Sequence, residues 1–464
     1  MIGSARLVTY QAPVRVKRSG NIWIDGLTDG DRWRIEPRRQ PGIGYTFVGN
    51  TKNQSGGILG GYPSLGWTRQ ERRLMLDGMR NIENVSGLRF VDRGDSFDDQ
   101  VEIRFYIHDN KDAKGSFGFS YTPGSDSDEG LVVVNRSMYE RADGTAKHSI
   151  ARGSYHGITF LHELCHAVGL KHPHERGAYR QPRFPGLKRW SNEWRDKGIH
   201  NQNAHPFTQM SYVDKGARNG YVPQVVEDYG FLKTLGALDI AALQWIYGIN
   251  SDYASGSNVY RLPTSNKRST GWKAIWDTGG DDRIDGSRAK VPVTIDLRNA
   301  TLDQSESAGG HISSVEGTFG GFTIAHDWNG KELGEPAGLC IIEHATGGSA
   351  NDRLIGNWAS NRLRGRQGDD MLYGGESGDD ILIGGGGRDQ FWIEAQSGAF
   401  ATVEDFHSGT DQLVFSVPRK ALSFDAVDDD FFVHYEGQTI ARLLGVSSIS
   451  MKRDIRFDQD FEGL

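Results

Sequence analysis

Apolar and polar residues alternate with two different periods in the first half of the chain, and these periods predict helices and strands. A helical period covers residues 67–85, with Thr68 placed to cap its N-terminus. Further helices are predicted over 154–168 and 235–247, and strands over 88–91, 101–107 and 131–134. Residues 1–250 are therefore predicted to form an α+β domain that ends between residues 248 and 256.

The second half is rich in β-type patterns and contains a nine-residue repeat between residues 347 and 392. Five units share glycine at the first position, Asp or Asn at the sixth and an apolar residue at the eighth. The sixth positions are Asp352, Asn361, Asp370, Asp380 and Asp389. This pattern is typical of a calcium-binding parallel β-roll, whereas a flexible linker would not keep Asp and Leu in phase.

The spacing of the repeat has a physical reason. Glycine-rich half-turns let backbone carbonyls and a carboxylate converge on a hard cation, and the triplet that follows forms a short strand with its apolar residue inward. The predicted calcium ligands in the repeat are Gly347, Asp352, Gly365, Asp370, Asp380 and Asp389. We expect several structural Ca²⁺ ions and a roll that is loose without them.

Composition narrows the class of protein. Glycine accounts for 61 of 464 residues, while 11 Trp, 21 Phe and 16 Tyr are enough for a substantial core and argue against global disorder. The net charge of −7 argues against a nucleic-acid binder, and two cysteines cannot build a disulfide framework. The sequence contains neither an apolar N-terminal signal nor a run long enough to span a membrane. These features alone suggest a cytosolic protein.

The chemistry is concentrated in the stretch from His162 to His172. His162 and His166 are spaced i, i+4 on a predicted helix, so both imidazoles project from one face, with Glu163 beside them. Gly169 can end the helix in a left-handed conformation, and His172 then supplies a third nitrogen. Three protein ligands and one open position are typical of catalytic zinc. Structural histidines in the core or on the surface are the alternative interpretation.

We expect Glu163 to act as general base on a zinc-activated water that attacks a peptide carbonyl, and then to protonate the leaving amine. The extended motif is typical of metzincins, a class that also has a Met-turn. Met210, followed two residues later by Tyr212, fits that turn. Taken alone, Met210 would be interpreted as a core residue.

The chain resembles the serralysins, secreted bacterial metzincin proteases with a C-terminal calcium-binding RTX β-roll. The resemblance rests on His172-Pro173, on 210–212, on 239–244 followed by Tyr247-Gly248, and on the acidic loop 276–285. It implies an α+β metzincin catalytic domain followed by an all-β parallel β-roll/β-sandwich domain. It also implies that Tyr212 is a flexible zinc ligand and a catalytic residue that stabilises the oxyanion.

The same resemblance implies further site residues. Those expected to bind calcium in the first acidic loop and its neighbours are Ala254, Gly256, Asn258, Asp277, Gly279, Gly280, Asp282, Asp285 and Glu343. Residues 115–121 are expected to form an edge strand that holds substrate in extended form, with Gly115, Phe117, Phe119 and Tyr121 as substrate-binding residues.

The resemblance divides the chain into a short propeptide-like segment over 1–22, a zinc protease domain over 23–250 and a calcium-binding β-roll over 251–464 with an export-signal-like end. It implies a monomeric, secreted, extracellular zinc endopeptidase with one catalytic Zn²⁺, exported by a type I-like route without an N-terminal signal peptide. The expected partners are protein or peptide substrates, and a proteinaceous inhibitor is a candidate. Weak calcium sites suit the millimolar calcium outside cells, which reverses the cytosolic interpretation.

A non-catalytic calcium-binding RTX surface or adhesion protein on a metzincin scaffold is the alternative function, and the intact Glu163 and histidines argue against it. The chain also departs from the serralysin pattern. Cys165 lies inside the zinc helix, where we expect a small buried hydrophobe, with a redox-sensitive role as the alternative. Asn361 replaces aspartate in the repeat, which predicts weaker calcium binding there.

Overall fold

The computed structural model describes residues 12–35, 42–50, 64–94, 101–109, 116–125, 128–213, 221–223, 226–328 and 339–458. Helices and a small mixed sheet make up the described part of the first 250 residues. Its elements are β1 (Val14–Arg15), α1 (Ile22–Leu27), β2 (Asp31–Arg32), β3 (Ile43–Phe47), α2 (Arg69–Val85), β4 (Phe90–Asp92), β5 (Ile103–His108), β6 (Gly118–Ser120), β7 (Leu131–Asn135), α3 (Ile158–Ala167) and α4 (Ala237–Tyr247), besides short 3-10 turns.

The three predicted helices are confirmed, with one shifted start. Thr68 caps α2 as expected, and its side chain and that of Glu71 form a reciprocal capping box. The predicted helix over 154–168 begins only at Ile158. The reason is local, because the Ser154 hydroxyl donates to the carbonyls of Ser149 and Ala151 and accepts from Gly157 N, which holds 154–157 in a turn.

A five-stranded sheet lies beside α3 and has the order β4-β3-β5-β7-β6. All of its pairs are parallel except β6 with β7, which is antiparallel and leaves β6 at the edge. Strand β7 is buried along its whole length and packs against α3, so its apolar run needs no polar alternation. The sheet thereby presents its edge strand next to the helix that carries the histidine motif.

Strands dominate the described part of the chain after Tyr247. They are β8 (Val259–Arg261), β9 (Trp272–Ile275), β10 (Arg283–Asp285), β11 (Val293–Asp296), β12 (Ser313–Val315), β13 (Gly321–Ile324), β14 (His344–Thr346), β15 (Arg353–Ile355), β16 (Arg362–Gln367), β17 (Met371–Tyr373), β18 (Gly378–Gly386), β19 (Gln390–Ile393), β20 (Ala399–Val403), β21 (Gln412–Phe415), β22 (Leu422–Val427), β23 (Asp430–Tyr435), β24 (Gln438–Leu443) and β25 (Ile455–Phe457).

These strands form two sheets that are wound as a roll, because successive strands of the repeat alternate between them. One sheet has the order β22-β23-β24-β20-β18-β16-β14-β10-β8, and the other β25-β21-β19-β17-β15-β11-β12-β13-β9. The repeat strands pair in parallel, and Leu354 lies opposite Leu372, which lies next to Phe391. In the other sheet Leu363 lies opposite Leu382. All of these residues are fully buried, so the eighth positions form the core between the sheets.

The apolar core is continuous from Val16 to Ile455. Hydrogen bonds also join the N-terminal part of the chain to the β-rich part, since the Trp23 indole donates to the Asp303 carbonyl at 2.6 Å and Asn21 Nδ2 donates to the Leu302 carbonyl at 2.8 Å. The division at 1–22, 23–250 and 251–464 therefore stays a prediction. Within the described ranges, no helix is both long and apolar enough to cross a membrane.

Candidate functional site

Helix α3 and the turn that follows it bring three histidines together. His162 and His166 project from the same face of α3, and the helix ends as Gly169 adopts φ +103°. A side chain at position 169 would come within 2.7 Å of the Asp31 carbonyl, so the turn requires glycine. The chain then reverses and places His172 against the other two rings, with centroids 5.1 Å from His162 and 4.3 Å from His166.

The three Nε2 atoms converge on one point. His172 Nε2 lies 3.0 Å from the Nε2 atoms of both His162 and His166. His162 Nδ1 donates to the Gln209 carbonyl at 2.9 Å and His166 Nδ1 donates to the Leu170 carbonyl at 2.8 Å, so the Nε2 atoms of these two rings are unprotonated acceptors. A single proton on His172 Nε2 could serve only one of these two acceptors, whereas three ligands of one tetrahedral zinc lie about 3.3 Å from one another. The donor set therefore fits a zinc ion.

Burial keeps these histidines in the neutral form that binds metals. It lowers the pKa of His162 to about 4 and lowers the pKa values of His166 and His172 well below the usual range, with the neighbouring imidazoles adding to the effect in the latter two. The other ring nitrogen of His172, Nδ1, lies 3.1 Å from Glu175 Oε2. The Glu175 carboxylate can therefore orient the His172 ring.

Glu163 follows His162 on α3 and is buried against the edge strand. Burial raises the pKa of its carboxyl to about 8. A Cβ placed on Gly118 would lie 3.0 Å from both Cγ and Oε1 of Glu163, so the carboxylate occupies space that only glycine leaves open in β6. This arrangement puts a carboxylate between the histidine cluster and the sheet edge.

The turn that contains Met210, the predicted Met-turn, is tied to the histidine cluster through a buried carboxylate. Asp239 accepts hydrogen bonds from Thr208 Oγ1 and Gln209 N at 2.6 Å each, and from Gly236 N at 2.8 Å. These bonds fix Gln209, the residue whose carbonyl orients His162. Met210 is fully buried beside it. Asp239 thus connects α4 to the imidazole of His162 by way of the turn.

Tyr212 completes the aromatic surroundings of the cluster. Its ring centroid lies 5.6 Å from that of His162 and 4.5 Å from that of His172. Burial raises the pKa of the Tyr212 phenol well above its usual range, and the neighbouring Glu163 adds to this rise, so the hydroxyl keeps its proton. Trp194 also stacks on the Tyr212 ring, with centroids 4.8 Å apart. The phenol is therefore held as a hydrogen-bond donor near the histidines.

The predicted substrate-binding residues lie at or beside the sheet edge. Phe119 belongs to β6, and Phe117 and Tyr121 flank this strand. Phe117 contacts the rings of Tyr155 and His156, with centroids 5.2 and 5.1 Å apart, and Phe119 contacts the Tyr121 ring. Gly115 lies outside the described residues. Among the described strands β6 pairs with β7 alone and lies at the edge of its sheet, where an added strand could pair.

The repeat carboxylates form a ladder along one edge of the roll. Asp352 N donates to Asp370 Oδ1 at 2.8 Å, Asp370 N to Asp389 Oδ1 at 2.9 Å, and Asp389 N to Asp411 Oδ1 at 3.0 Å. Each second carboxylate oxygen of the first three faces a half-turn, where a side chain on the unit's first glycine would overlap it. The same half-turns present the carbonyls of Gly365 and Gly384. Carboxylate and carbonyl oxygens in such a cradle fit calcium.

The opposite edge carries Asn361 and Asp380, with Asn361 N donating to Asp380 Oδ1 at 2.9 Å. Asn361 turns its amide nitrogen to the Glu343 carbonyl at 3.0 Å and so presents a donor where the other edge presents an oxygen. Burial raises the pKa of Asp370 to about 8, of Asp380 to about 7 and of Asp389 to about 6. Such crowded acids favour a bound cation.

Most of the predicted first calcium loop is also brought together. Asn258 N donates to Asp282 Oδ1 at 2.6 Å, and Asp282 N donates to Glu343 Oε2 at 2.8 Å. The Asn258 amide faces the carbonyls of Ala254 and Gly256 and the Asp277 carboxylate. Gly279 and Gly280 adopt φ of +136° and +138° in the adjoining turn. Asp285 differs, because its carboxylate accepts from Ser287 N at 2.9 Å and pairs with Arg261 at 3.5 Å.

Cys165 is buried, as expected, and points into the core. Burial raises the pKa of its thiol well above the usual range, with the Asp239 and Glu163 charges adding to the rise. A buried thiol with a raised pKa is poorly reactive, so the interpretation as a small hydrophobe is confirmed and a redox role has no support.

Several residues of the site were missed by the sequence interpretation. Trp194 gave no signal, because nothing in its neighbourhood links it to the Met-turn. Gly118 lay within the predicted strand without an assigned role. Asp411 carried a usable signal, since it precedes an apolar strand like the repeat aspartates but stands 22 positions after Asp389 instead of 18 or 19.

Comparison with known proteins shows which family this chain resembles. The family model "Peptidase M10 serralysin C terminal" matches residues 237–442. A serralysin from Photorhabdus laumondii is 27% identical over 292 residues, or 61% of this chain and 52% of that protein. The metallopeptidase AprA of Pseudomonas marginalis is 25% identical over 376 residues, or 75% of this chain and 69% of AprA.

Serralysin G of Dickeya chrysanthemi is 29% identical over 306 residues, which is 63% of this chain and 54% of that protein. With AprA as an exception, the match spans about half of the length of these relatives. The relatives' names denote metallopeptidases, and the family implies zinc and calcium, in keeping with the histidine cluster found here. The chain is therefore similar to the serralysins, both in its C-terminal part, 237–442, and along the longer stretches that match these relatives.

Proposed function

We propose that this protein is a zinc-dependent endopeptidase in which a metzincin-type catalytic domain hydrolyses peptide bonds in proteins. The observation that carries the proposal is the convergence of the Nε2 atoms of His162, His166 and His172 beside the buried carboxyl of Glu163. Three nitrogen ligands leave a position of tetrahedral zinc open for chemistry, whereas structural zinc sites use four protein ligands.

When bound, zinc would supply a Lewis acid that polarises the substrate carbonyl and lowers the pKa of water. Glu163 takes the proton from the attacking water at a carboxylate oxygen and later returns it to the nitrogen of the leaving amine. The Tyr212 hydroxyl, which keeps its proton, donates a hydrogen bond to the carbonyl oxygen as negative charge develops there. Gln209 keeps the His162 ring oriented throughout these steps.

Substrate binds in extended form along β6, antiparallel or parallel to its free edge, so that backbone hydrogen bonds hold the peptide. This mode makes binding tolerant of sequence and suits a protease that acts on unfolded segments. Phe117 and Tyr121 flank the strand and are exposed enough to contact side chains of the substrate. A proteinaceous inhibitor that inserts an extended segment would use the same edge.

The roll binds several Ca²⁺ ions through its carboxylate ladders and half-turn carbonyls, and these ions hold the C-terminal part together. Weak sites of this kind fill at the millimolar calcium outside cells and empty at the low levels inside. The protein is thus proposed to be exported before its roll folds and to act extracellularly as a monomer. Burying the ladder carboxylates in their charged form is unfavourable, and their mutual repulsion adds to this cost, so folding of the roll is opposed until calcium binds.

A calcium-binding surface or adhesion protein without catalysis is the competing function. It requires the roll and the scaffold but has no use for a buried Glu163 carboxyl or for three converging imidazoles. Burying such polar groups costs folding free energy, and a non-catalytic protein would have no function that offsets this cost. The arrangement therefore favours the protease.

Metal removal and replacement tests the proposal. The purified full chain, kept in excess calcium, is stripped with a zinc-selective chelator and assayed on an unstructured protein substrate before and after zinc is restored. We expect cleavage to stop and to return with zinc, and we expect His166→Ala to stay inactive after the same treatment. Cleavage that persists in the stripped wild type, or in His166→Ala, would overturn the assignment.

A further inference from the structure

A second cluster of metal-binding side chains lies outside the histidine motif. His148, His156 and Glu227 each present one ligand atom, and these atoms lie within 4.8 Å of one another. Glu227 Oε2 is 3.0 Å from His148 Nδ1 and 3.2 Å from His156 Nε2. The three residues share no sequence motif, because two precede α3 and the third follows the Met-turn.

We propose that His148, His156 and Glu227 form a second metal site that takes a divalent transition ion of the Zn²⁺ class. Two imidazole nitrogens and one carboxylate oxygen are a zinc donor set, whereas calcium and magnesium prefer oxygen alone. The two nitrogen-to-oxygen distances match the edges of about 3.3 Å expected around tetrahedral zinc with bonds of about 2.0–2.1 Å.

Burial and packing make the cluster a formed site instead of a chance meeting of surface groups. The His156 side chain is 4% exposed, and its ring is held by Phe117 at 5.1 Å and by stacking on His148 at 4.3 Å. The side chains of His148 and Glu227 are 32% and 29% exposed, so an ion can enter from solvent on that side. Small rotations of the stacked rings would aim both nitrogens at one point.

The ion would connect the segment that leads into α3 with the segment that contains Glu227. His156 lies two residues before α3, the helix with His162 and His166, and Glu227 lies on the segment after the Met-turn. The backbone already joins these segments once, since Tyr155 N donates to the Glu227 carbonyl at 2.8 Å. Phe117 couples the cluster to the end of the edge strand. A metal here would hold these two segments together without taking part in hydrolysis.

The same contacts can also form without metal, because the Glu227 carboxylate can accept a hydrogen bond from a protonated ring nitrogen of each histidine. The two states differ in zinc content, which can be measured directly. The inference does not depend on the proposed function, since the ligands of the two sites are different residues. Loss of one site and loss of the other can be told apart, because different variants would then lose a zinc ion.

Zinc is measured by mass spectrometry on the full chain in excess calcium, after equilibration with zinc and gel filtration. We expect about two zinc ions per chain in wild type and about one in His148→Ala, His166→Ala and Glu227→Gln, with none in the His148→Ala/His166→Ala double variant. The control is His434→Ala, which removes another partly exposed histidine paired with a carboxylate, Asp425, and should keep two.

Circular dichroism confirms that each variant is folded, and Glu227→Gln serves where His148→Ala does not fold, since it preserves side-chain size. The wild type should also melt at a higher temperature with zinc than His148→Ala does under the same conditions. A zinc content that is the same in wild type, His148→Ala and Glu227→Gln, whether one ion or two, would overturn the second site. Loss of zinc in His148→Ala but not in His166→Ala would instead contradict the proposed catalytic centre.

Discussion

The Trp194 indole lies nearly flat on the Tyr212 ring, with centroids 4.8 Å apart and planes inclined by 17°. The Tyr212 ring also contacts the His172 ring, at 4.5 Å. Trp194 is 45% exposed and therefore forms the solvent side of the stack. A tyrosine ring in contact with both an imidazole and an indole has few orientations available, and we propose that this keeps its hydroxyl near the reacting carbonyl.

Replacing Trp194 should therefore slow catalysis without removing zinc. An aromatic pair of this kind contributes about 0.5–1.5 kcal/mol, so Trp194→Ala is expected to lower kcat about two- to tenfold. Trp194→Phe should restore most of the rate because it can still stack. Trp190→Ala is the control, since Trp190 is 81% exposed. Equal loss of kcat in the alanine and phenylalanine variants would show that stacking is not the cause.

Gly118 leaves the space that Glu163 occupies. A methyl group at this position would lie 2.7 Å from the Val133 carbonyl and 3.0 Å from the Glu163 carboxylate, so either the strand or the acid must move. We expect Gly118→Ala to lower kcat/KM at least tenfold while the zinc content stays unchanged. The proper comparison is Gly49→Ala, because a Cβ there meets nothing within 4 Å. An unaffected Gly118→Ala rate would mean that the acid is not held in place by this contact.

Calcium should reverse the effect of a mutation in the ladder. Asp370 lies between Asp352 and Asp389, and its Oδ2 is buried without a hydrogen-bond partner. In calcium, Asp370→Asn removes a ligand charge and should lower the melting temperature by several degrees. In chelator, the same change relieves repulsion between buried carboxylates and should leave the melting temperature equal to or above that of wild type.

Asp379→Asn is the matched control for the ladder, since Asp379 is a neighbouring but exposed aspartate. It should change the melting temperature little in either condition. Thermal unfolding by circular dichroism, with and without calcium, provides all four values. A lower melting temperature for Asp370→Asn in both conditions would contradict a cation site at this position.

The buried Glu71 carboxylate is expected to contribute to the free energy of unfolding in a way that is lost in acid. Burial raises the pKa of this carboxyl, but hydrogen bonds from Arg136 at 2.6 and 2.8 Å and from Tyr139 at 2.7 Å outweigh that effect and lower it overall. The contribution is therefore present above the pKa of the unfolded chain, about 4.3, and is lost as pH falls through the lower folded value.

Glu71→Gln should remove this acid-side slope. Urea unfolding of wild type and Glu71→Gln between pH 3 and 7 is expected to show a free-energy difference of about 1–3 kcal/mol at neutral pH that shrinks toward pH 3. Comparing the two proteins cancels effects common to both, including loss of metals in acid. A difference that stays constant with pH would show that the Glu71 charge is not responsible.

Local patterns were sufficient to predict much of the fold. The period and capping residue of α2 are encoded within a few neighbouring positions, and the nine-residue repeat specifies both the strands and the residues that line their core. Helix α3 started late because the Ser154 turn competes with helix formation through side-chain bonds that periodicity does not reveal. The order of the strands in the five-stranded sheet depends on contacts far apart in sequence.

In the candidate site, too, local patterns could be predicted from the sequence and long-range contacts could not. His162, His166 and His172 lie within one short motif, so their convergence could be expected from spacing alone. Trp194 meets Tyr212, and Glu227 meets His148, only because the chain folds back over long intervals. No period or motif links such pairs. Asp239 is an intermediate case, since its helix was noted but its bond to Gln209 was not.

The central claim is that Glu163 moves the proton in zinc-dependent peptide hydrolysis, and one comparison tests it most directly. Wild type and Glu163→Gln are brought to the same measured zinc content in excess calcium, and initial rates are recorded on an unstructured protein. General acid–base catalysis contributes about 10²–10⁴-fold, so the variant is expected to be slower by at least about a hundredfold with zinc still bound. A variant that cleaves at the wild-type rate, or a zinc-loaded wild type that does not cleave, would contradict the account.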